Sequence, residues 1–365
     1  MESFLLRNQD LFKFYNCISR EFELYIPAAL KSKRKIKCEY GFELPCQDFV
    51  LERYLPIETE TPIFNPYRCV EPVRALFTYA RESLGTYFRT GEIEYGQSRP
   101  LAASGVKNCD LFALKIQDFV FLEGSVSDVN YQKKRDSALI ISGDCSDFKE
   151  VCFCRAFDIN PYAGEGFDFN LSVINEGYIV DVASDKARKI LALLKEIFSP
   201  VTTEHLSQRT RKRETVIENL EKHLSYHQIP AKETLKDIVT AAYDSEVFPQ
   251  QALTCVECGG CVFICDTCHC FLLSDEKSGD TAQRMRLWDG CLYKNFSRVA
   301  GGANPLRMRY MRLRNRYLKK FDFFIENIGF QACCGCGRCI EVCPGKIDIR
   351  HVLRKLYEEK HLSTH

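Results

Sequence analysis

The sequence has no long apolar run. No stretch approaches the roughly 20 residues that a membrane-spanning helix needs. It also has no charge bias: 50 Lys and Arg stand against 49 Asp and Glu, a formal net charge of +1. Bulk charge therefore gives no argument for a nucleic-acid or membrane-surface partner. The opening MESFLLRNQD lacks a basic region, an apolar core and a small-residue cleavage site. No G-x-G-x-x-G follows a strand-like run and no P-loop is present, so the chain shows no dinucleotide or nucleotide-phosphate fingerprint. No spacing supports a Ser/His/Asp or paired-carboxylate catalytic set, and no segment is of low complexity. The expectation is a cytoplasmic protein with no membrane or nucleic-acid partner. Any flavin or nicotinamide would sit on another chain.

Cysteine is abundant. The chain has 20 in 365 residues, and twelve of them fall between Cys255 and Cys343. Clustered cysteines in an intracellular chain bind metal more often than they pair as disulfides. Hydrophobic content of 45% supplies a proper core, and the length allows two or three domains.

The fold class expected is α+β, a mixed α/β domain followed by a mainly helical ferredoxin-like dicluster domain. Residues 1–200 carry short apolar runs of strand length, ALIIS at 138–142 and YIVDVA at 178–183. The run VRALFTYARESLGTYF at 73–88 has helical spacing. A helical connector is expected over 201–250, where Val216, Ile217, Leu220 and Leu224 share a face and the basic residues 209–213 are exposed. The cysteine-rich domain follows at 251–365. Its two cysteine motifs are separated by 67 residues, 266–332, expected to be largely helical. After the second motif Ile349, Val352, Leu353 and Leu356 again have helical spacing.

The first motif is Cys255-x2-Cys258-x2-Cys261-x3-Cys265. The second is Cys333-x2-Cys336-x2-Cys339-x3-Cys343, followed by Pro344. This is the run that holds [4Fe–4S] clusters in bacterial ferredoxins, in which the fourth cysteine serves the other cluster. Two-residue gaps let one tight loop wrap three corners of a cube, and the fourth thiolate, a turn later, points away. The assignment is therefore crossed. Cys255, Cys258, Cys261 and Cys343 hold cluster one; Cys333, Cys336, Cys339 and Cys265 hold cluster two. Gly259, Gly260, Gly335 and Gly337 allow close backbone approach and N–H donation to sulfur. Asp266 replaces the proline that usually follows such a run. Zinc is the alternative occupant, since paired C-x2-C elements form zinc sites, but those seldom add a third and fourth cysteine at this spacing twice.

Cys109, Cys145, Cys152 and Cys154 form a further constellation with room for a third cluster; the alternative is four small buried hydrophobes. The same alternative is the default for Cys268, Cys270, Cys291 and Cys334, and for the scattered Cys17, Cys38, Cys46 and Cys69. His269 is expected to make a local hydrogen bond. The basic stretch Arg307, Arg309, Arg312, Arg314, Arg316, Lys319 and Lys320 is read as a docking face for an acidic partner or as charge compensation for a reduced cluster, in preference to a nucleic-acid surface.

The segments CVECGGCVFICDTCHCF, RLWDGC, AGGANP and CCGCGRCIEVCPGKIDI together resemble the 4Fe–4S dicluster subunits of anaerobic sulfite reductase (its A chain) and the beta subunit of [NiFe] sulfhydrogenases. GVKNCDLFAL at 105–114, NYQKKR at 130–135 and VCFCRAF at 151–157 extend the resemblance upstream, to about three-quarters of the chain. Lys107-Asn108 departs from the family's usual arginine, and Lys319 stands where histidine is common. The resemblance implies a non-catalytic iron–sulfur electron-transfer subunit of an oxidoreductase. It would relay electrons from a flavoprotein subunit that oxidises NAD(P)H to a catalytic subunit. The leading expectation is the anaerobic sulfite reductase type. The alternative is the beta subunit of a [NiFe] hydrogenase, and a zinc-stabilised interaction module is the competing class. Neither a sirohaem nor a Ni–Fe site can be identified in the chain.

Overall fold

The computed structural model describes residues 2–37, 43–56, 62–87, 93–94 and 99–362. Contacts separate the chain into two units: Met1–Phe77 with Gln97–Glu221, and Thr78–Gly96 with Lys222–His365. In chain order the strands are β1 (Glu2–Arg7), β2 (Glu23–Lys37), β3 (Glu43–Arg53), β4 (Arg81–Tyr87), β5 (Ile93–Glu94) and β6 (Leu101–Val106). They continue as β7 (Leu139–Gly143), β8 (Phe169–Val173), β9 (Gly177–Val182), β10 (Phe198–Pro200), β11 (Phe271–Ser278) and β12 (Thr281–Trp288).

The first unit is built on one mixed sheet of order β10-β1-β9-β8-β7-β6-β2-β3. The pairs β2·β6, β6·β7 and β7·β8 are parallel; the others are antiparallel. Central strands are covered on both faces, which is why β7 is an unbroken apolar run and not an alternating one. Leu139 and Ile141 pack with Leu11, Phe14 and Ile18 of helix α1 (Leu11–Glu21), whereas Ile140 packs with Leu111, Leu114 and Phe121 of α2 (Asn108–Leu122). Successive strand residues point to opposite faces, so helices flank the sheet on both sides. Helices α3 (Val129–Ser137), α4 (Asp185–Leu193) and α5 (Thr203–Ser225) complete the helices of this region. The α and β character expected of residues 1–200 is present.

The second unit, with the segment that leads into it, differs from expectation at two places. Over its described residues, 73–87, the run expected to be helical is not a helix: a short 3-10 turn at Val73–Leu76 leads into β4, and Phe88 lies outside the described residues. The 67-residue insertion is only partly helical, because it opens with the hairpin β11–β12. These strands join in an antiparallel sheet of order β11-β12-β4-β5. Glu82 lies opposite Arg286 in the β4·β12 register, and the two form a buried ion pair. That pair explains a strand with helical apolar spacing: backbone and charge partners of β4 lie in β12, which no local pattern reveals.

The remaining helices of the unit, among the described residues, are α6 (Leu235–Ala241), α7 (Val247–Ala252), α8 (Gly260–Phe263), α9 (Arg309–Leu318), α10 (Phe324–Ile328), α11 (Arg338–Glu341) and α12 (Ile349–Leu362). A π-helical turn, Lys319–Phe323, joins α9 to α10; such turns recur at functional sites. Ile349, Val352, Leu353 and Leu356 form the buried face of α12, as their spacing predicts.

Candidate metal centres

The two cysteine loops fold alike. Gly259 and Gly337 precede α8 and α11 and share φ 73°, ψ −4°. Glu257 (φ 58°) and Gly335 (φ 66°) occupy the matching earlier position. A left-handed backbone favours glycine. Glu257 holds it with an ion pair to the buried Arg312. A Cβ on Gly259 would lie 2.6 Å from the Tyr293 hydroxyl. The loops thus turn tightly enough to aim three thiols inward and then start a helical turn that carries the fourth away.

The structure brings Cys255, Cys258, Cys261 and Cys343 to one cavity, walled also by Leu292, Leu313, Arg316 and Tyr317. Cys261 is pushed up to about 11, first by burial and then by the nearby Cys343 and Cys255 thiols. Cys265, Cys333, Cys336 and Cys339 form a second group. Burial raises Cys339, and Cys265, Cys333 and Cys336 add to the effect. Cys333 is raised to about 11, chiefly by burial. Cys339 also borders the first cavity, so the two quartets are neighbours. Backbone N–H groups reach sulfur in both, from Gly335 to Cys333 and from Ile347 to Cys343 at 3.4 Å. Converging thiols with N–H and cationic donors fit iron–sulfur cubanes.

Two buried cations serve these thiols. Lys320, on the π-helical turn, donates to Cys265 Sγ at 3.4 Å, Thr267 Oγ1 at 2.9 Å and the Ala332 carbonyl at 2.8 Å. Burial opposes its charge, but the Cys265 and Cys268 thiols outweigh burial and raise its pKa. Arg316 donates to Cys268 Sγ at 3.6 Å and to the Cys261 carbonyl at 3.0 Å. The Cys265 thiol is held well below its ordinary range, first by a hydrogen bond with Cys268, then by Lys320 and Arg316 against the effect of burial.

The basic stretch is therefore not one exposed docking face. Arg307 and Arg309 are exposed, whereas Arg312, Arg314, Arg316 and Lys320 are buried on carbonyls, thiols and Glu257. Amphipathic spacing placed these cations inward because thiols and carbonyls await them there. Asp266 also has a role that the missing proline concealed. Its carboxylate pairs at 2.9 Å with Arg338 between Cys336 and Cys339, and both side chains are buried. The ion pair ties the end of the first motif to the loop of the second.

In the first unit, Cys145, Cys152 and Cys154 come together. Burial lifts Cys145 to about 12, Lys107 opposes this, and Cys152 adds to it. Cys154 is raised by burial, then by Cys152 and Cys145. Cys109 lies in the first turn of α2, its Sγ 3.9 Å from an Asp110 carboxylate that also acts on Cys145. Lys107, fully buried, donates to the carbonyls of Asn65 at 2.7 Å and Asp144 at 3.0 Å.

Among the remaining cysteines, Cys69 and Cys334 are buried and Cys17 is partly buried; Cys38 and the side chain of Cys46 lie outside the described residues. Cys268, Cys270 and Cys291 line a further cavity, and the His269 ring nitrogen Nδ1 lies 3.2 Å from the Thr267 carbonyl. Charge compensation is one of the two readings of the stretch that includes Arg316 and Lys320; which of its cations turn inward, and the Asp266–Arg338 pair, are not legible in the sequence. No helix of the described residues is long and apolar enough to cross a membrane.

Comparison with known proteins adds two findings. Residues 254–347 match the family model of the 4Fe-4S dicluster domain. The sulfhydrogenase 2 subunit beta of Pyrococcus furiosus is 32% identical over 292 residues, which cover 80% of this chain and 84% of that protein. The chain belongs to the 4Fe–4S dicluster family that includes the sulfhydrogenase 2 subunit beta.

Proposed function

We propose that this chain is the electron-relay subunit of an oxidoreductase complex of the sulfhydrogenase type. It takes electrons from a flavoprotein subunit and passes them to a catalytic subunit that this chain does not contain. The observation that carries the reading is the pair of neighbouring thiol quartets inside a segment that matches a 4Fe–4S dicluster domain. Cys255, Cys258, Cys261 and Cys343 would hold one cubane; Cys333, Cys336, Cys339 and Cys265 would hold the other. A cubane supplies one-electron transfer at a potential that its surroundings set between about −700 and +450 mV. The chain's own residues shape that potential. Lys320 places a buried positive charge and a donor at Cys265, Arg316 places another at the shared wall, and Leu292, Leu313 and Tyr317 limit water.

Of the two complexes that the motifs left open, the relative favours the sulfhydrogenase type over sulfite reductase. The division into a 1–200 domain, a helical connector at 201–250 and a helical ferredoxin-type domain at 251–365, and a location in the cytoplasm, belong to the same proposal. So does a further cluster at Cys109, Cys145, Cys152 and Cys154.

Anaerobic affinity purification from the native host tests the reading, with metal and cofactor analysis of the captured complex. Co-purifying flavin and nickel, with a brown colour that bleaches on dithionite, support it. Sirohaem in place of nickel moves the assignment to sulfite reductase. A colourless chain holding zinc overturns electron transfer altogether.

A further inference from the structure

Three cysteines outside both ferredoxin motifs are gathered at one place by the hairpin. Phe271 pairs with Trp288 at its open end, and the Asp289 N–H donates to the Cys270 carbonyl at 3.0 Å. This register sets Cys270, just before β11, beside Cys291, just after β12. Their thiols share a hydrogen bond. Cys268, two residues before Cys270, opens onto the same cavity. A role as small buried hydrophobes accounts for burial alone. It leaves unexplained why Lys319 joins Lys320 and Arg316 on this wall, and why Arg316 donates directly to Cys268 Sγ, outside both quartets, at 3.6 Å.

Three soft ligands facing three cations form an environment for an anionic thiolate–metal centre. The charge selects among metals. Zinc held by three thiolates and an imidazole carries a fixed single negative charge. A centre that gains an electron becomes more negative in each cycle, and a wall of three cations accommodates that change. The place points the same way, because Cys268 is hydrogen-bonded to Cys265, a proposed ligand of cluster two, and Cys291 acts electrostatically on Cys261, a proposed ligand of cluster one.

We propose that Cys268, Cys270 and Cys291 hold an additional iron–sulfur cluster, with His269 on the same cavity wall. The proposal rests on the reading of the chain as an iron–sulfur electron carrier and extends it by one redox centre at the edge of the dicluster core. The cluster would be an anionic, cysteine-ligated iron–sulfide group, assembled from ferrous iron and sulfide.

The test uses the full chain, purified anaerobically and reconstituted with ferrous iron and sulfide. Iron, acid-labile sulfide and zinc are counted per chain, and electron paramagnetic resonance spectra are recorded after dithionite. The Cys270→Ser/Cys291→Ser variant should lose about three to four irons and one reduced-state signal. That signal should differ from the one lost in Cys258→Ser. Unchanged iron and spectra in the double variant, or the loss of one zinc with no iron, overturn the proposal. If the double variant does not fold, a Cys145→Ser/Cys154→Ser chain takes the N-terminal thiols out of the count. About eight irons in that chain overturn the proposal, and about eleven to twelve support it. A wild-type chain with no iron at all overturns the electron-carrier reading itself, a result distinct from either.

Discussion

Replacing Lys320 by methionine tests how this protein sets the potential of the proposed second cluster. Lys320 is 5% exposed and donates to Cys265 Sγ at 3.4 Å. Reduction adds one negative charge to the cluster, and the ammonium stabilises that charge. With a separation of about 6 Å between charge centres and an effective dielectric constant of about 20, the interaction is about 2.8 kcal/mol. For a one-electron couple, about 1.4 kcal/mol corresponds to about 59 mV. Lys320→Met should therefore lower the cluster-two midpoint by about 100 mV. Methionine keeps the length of the side chain, so packing changes little. A redox titration followed by electron paramagnetic resonance measures the shift, with the cluster-two signal identified by its loss in Cys336→Ser. The cluster-one midpoint should move much less, because the charge sits on Cys265, a proposed cluster-two ligand. A shift smaller than about 20 mV, or any upward shift, refutes the electrostatic role assigned to Lys320.

Three further outcomes follow from the structure. Cys343→Ser should abolish the same signal as Cys258→Ser and spare that of Cys336→Ser; loss of the Cys336-type signal instead would break the crossed assignment. Arg338→Met should destabilise the chain by about 3–5 kcal/mol, because it strands Asp266 as a buried, unpaired carboxylate; urea unfolding of the reconstituted protein measures this, and a loss under about 0.5 kcal/mol would show the pair to be dispensable. His227 is held at about 4, first by burial and then by Arg350, below its ordinary 6.5. Its depressed value means that the unfolded chain binds the extra proton first, so its contribution is complete above about pH 6.5 and is lost as pH falls toward 4. Partial exposure limits the effect to about 1–2 kcal/mol, and His227→Gln should flatten the stability profile across that window; an unchanged slope counts against the assignment.

What was legible in the sequence was whatever a local pattern carries. The strands β7 and β9 announce themselves as apolar runs, the buried faces of α5 and α12 as helical spacing, and the cysteine loops as spacing that only a few cofactors demand. What was not legible depends on distant partners. β4 carries apolar residues at helical intervals, yet its ladder and the Glu82–Arg286 pair lie in β12. Asp266 looked like a departure from a motif until Arg338 supplied its counter-charge. The basic run reads locally as a docking face or as charge compensation, and only the folded core shows which four of its seven cations turn inward to thiols and carbonyls. Cys270 and Cys291 are 21 residues apart in the sequence, and only the hairpin register makes them neighbours.

The loan of one early strand to the later sheet also governs how the protein is made. β4 leaves the ribosome about 200 residues before β12, its ladder partner, and the first unit's sheet continues on both sides of it in the chain. During synthesis this strand must wait with an unpaired edge while the first unit closes around its own sheet. The hairpin that completes it is also the element that aligns Cys270 with Cys291. Strand pairing and thiol alignment therefore finish together, late in synthesis. A fragment beginning at residue 222 would lack β4 and present the bare edge of β12 to solvent. Such a fragment should aggregate through that edge even with every ferredoxin-motif cysteine in place.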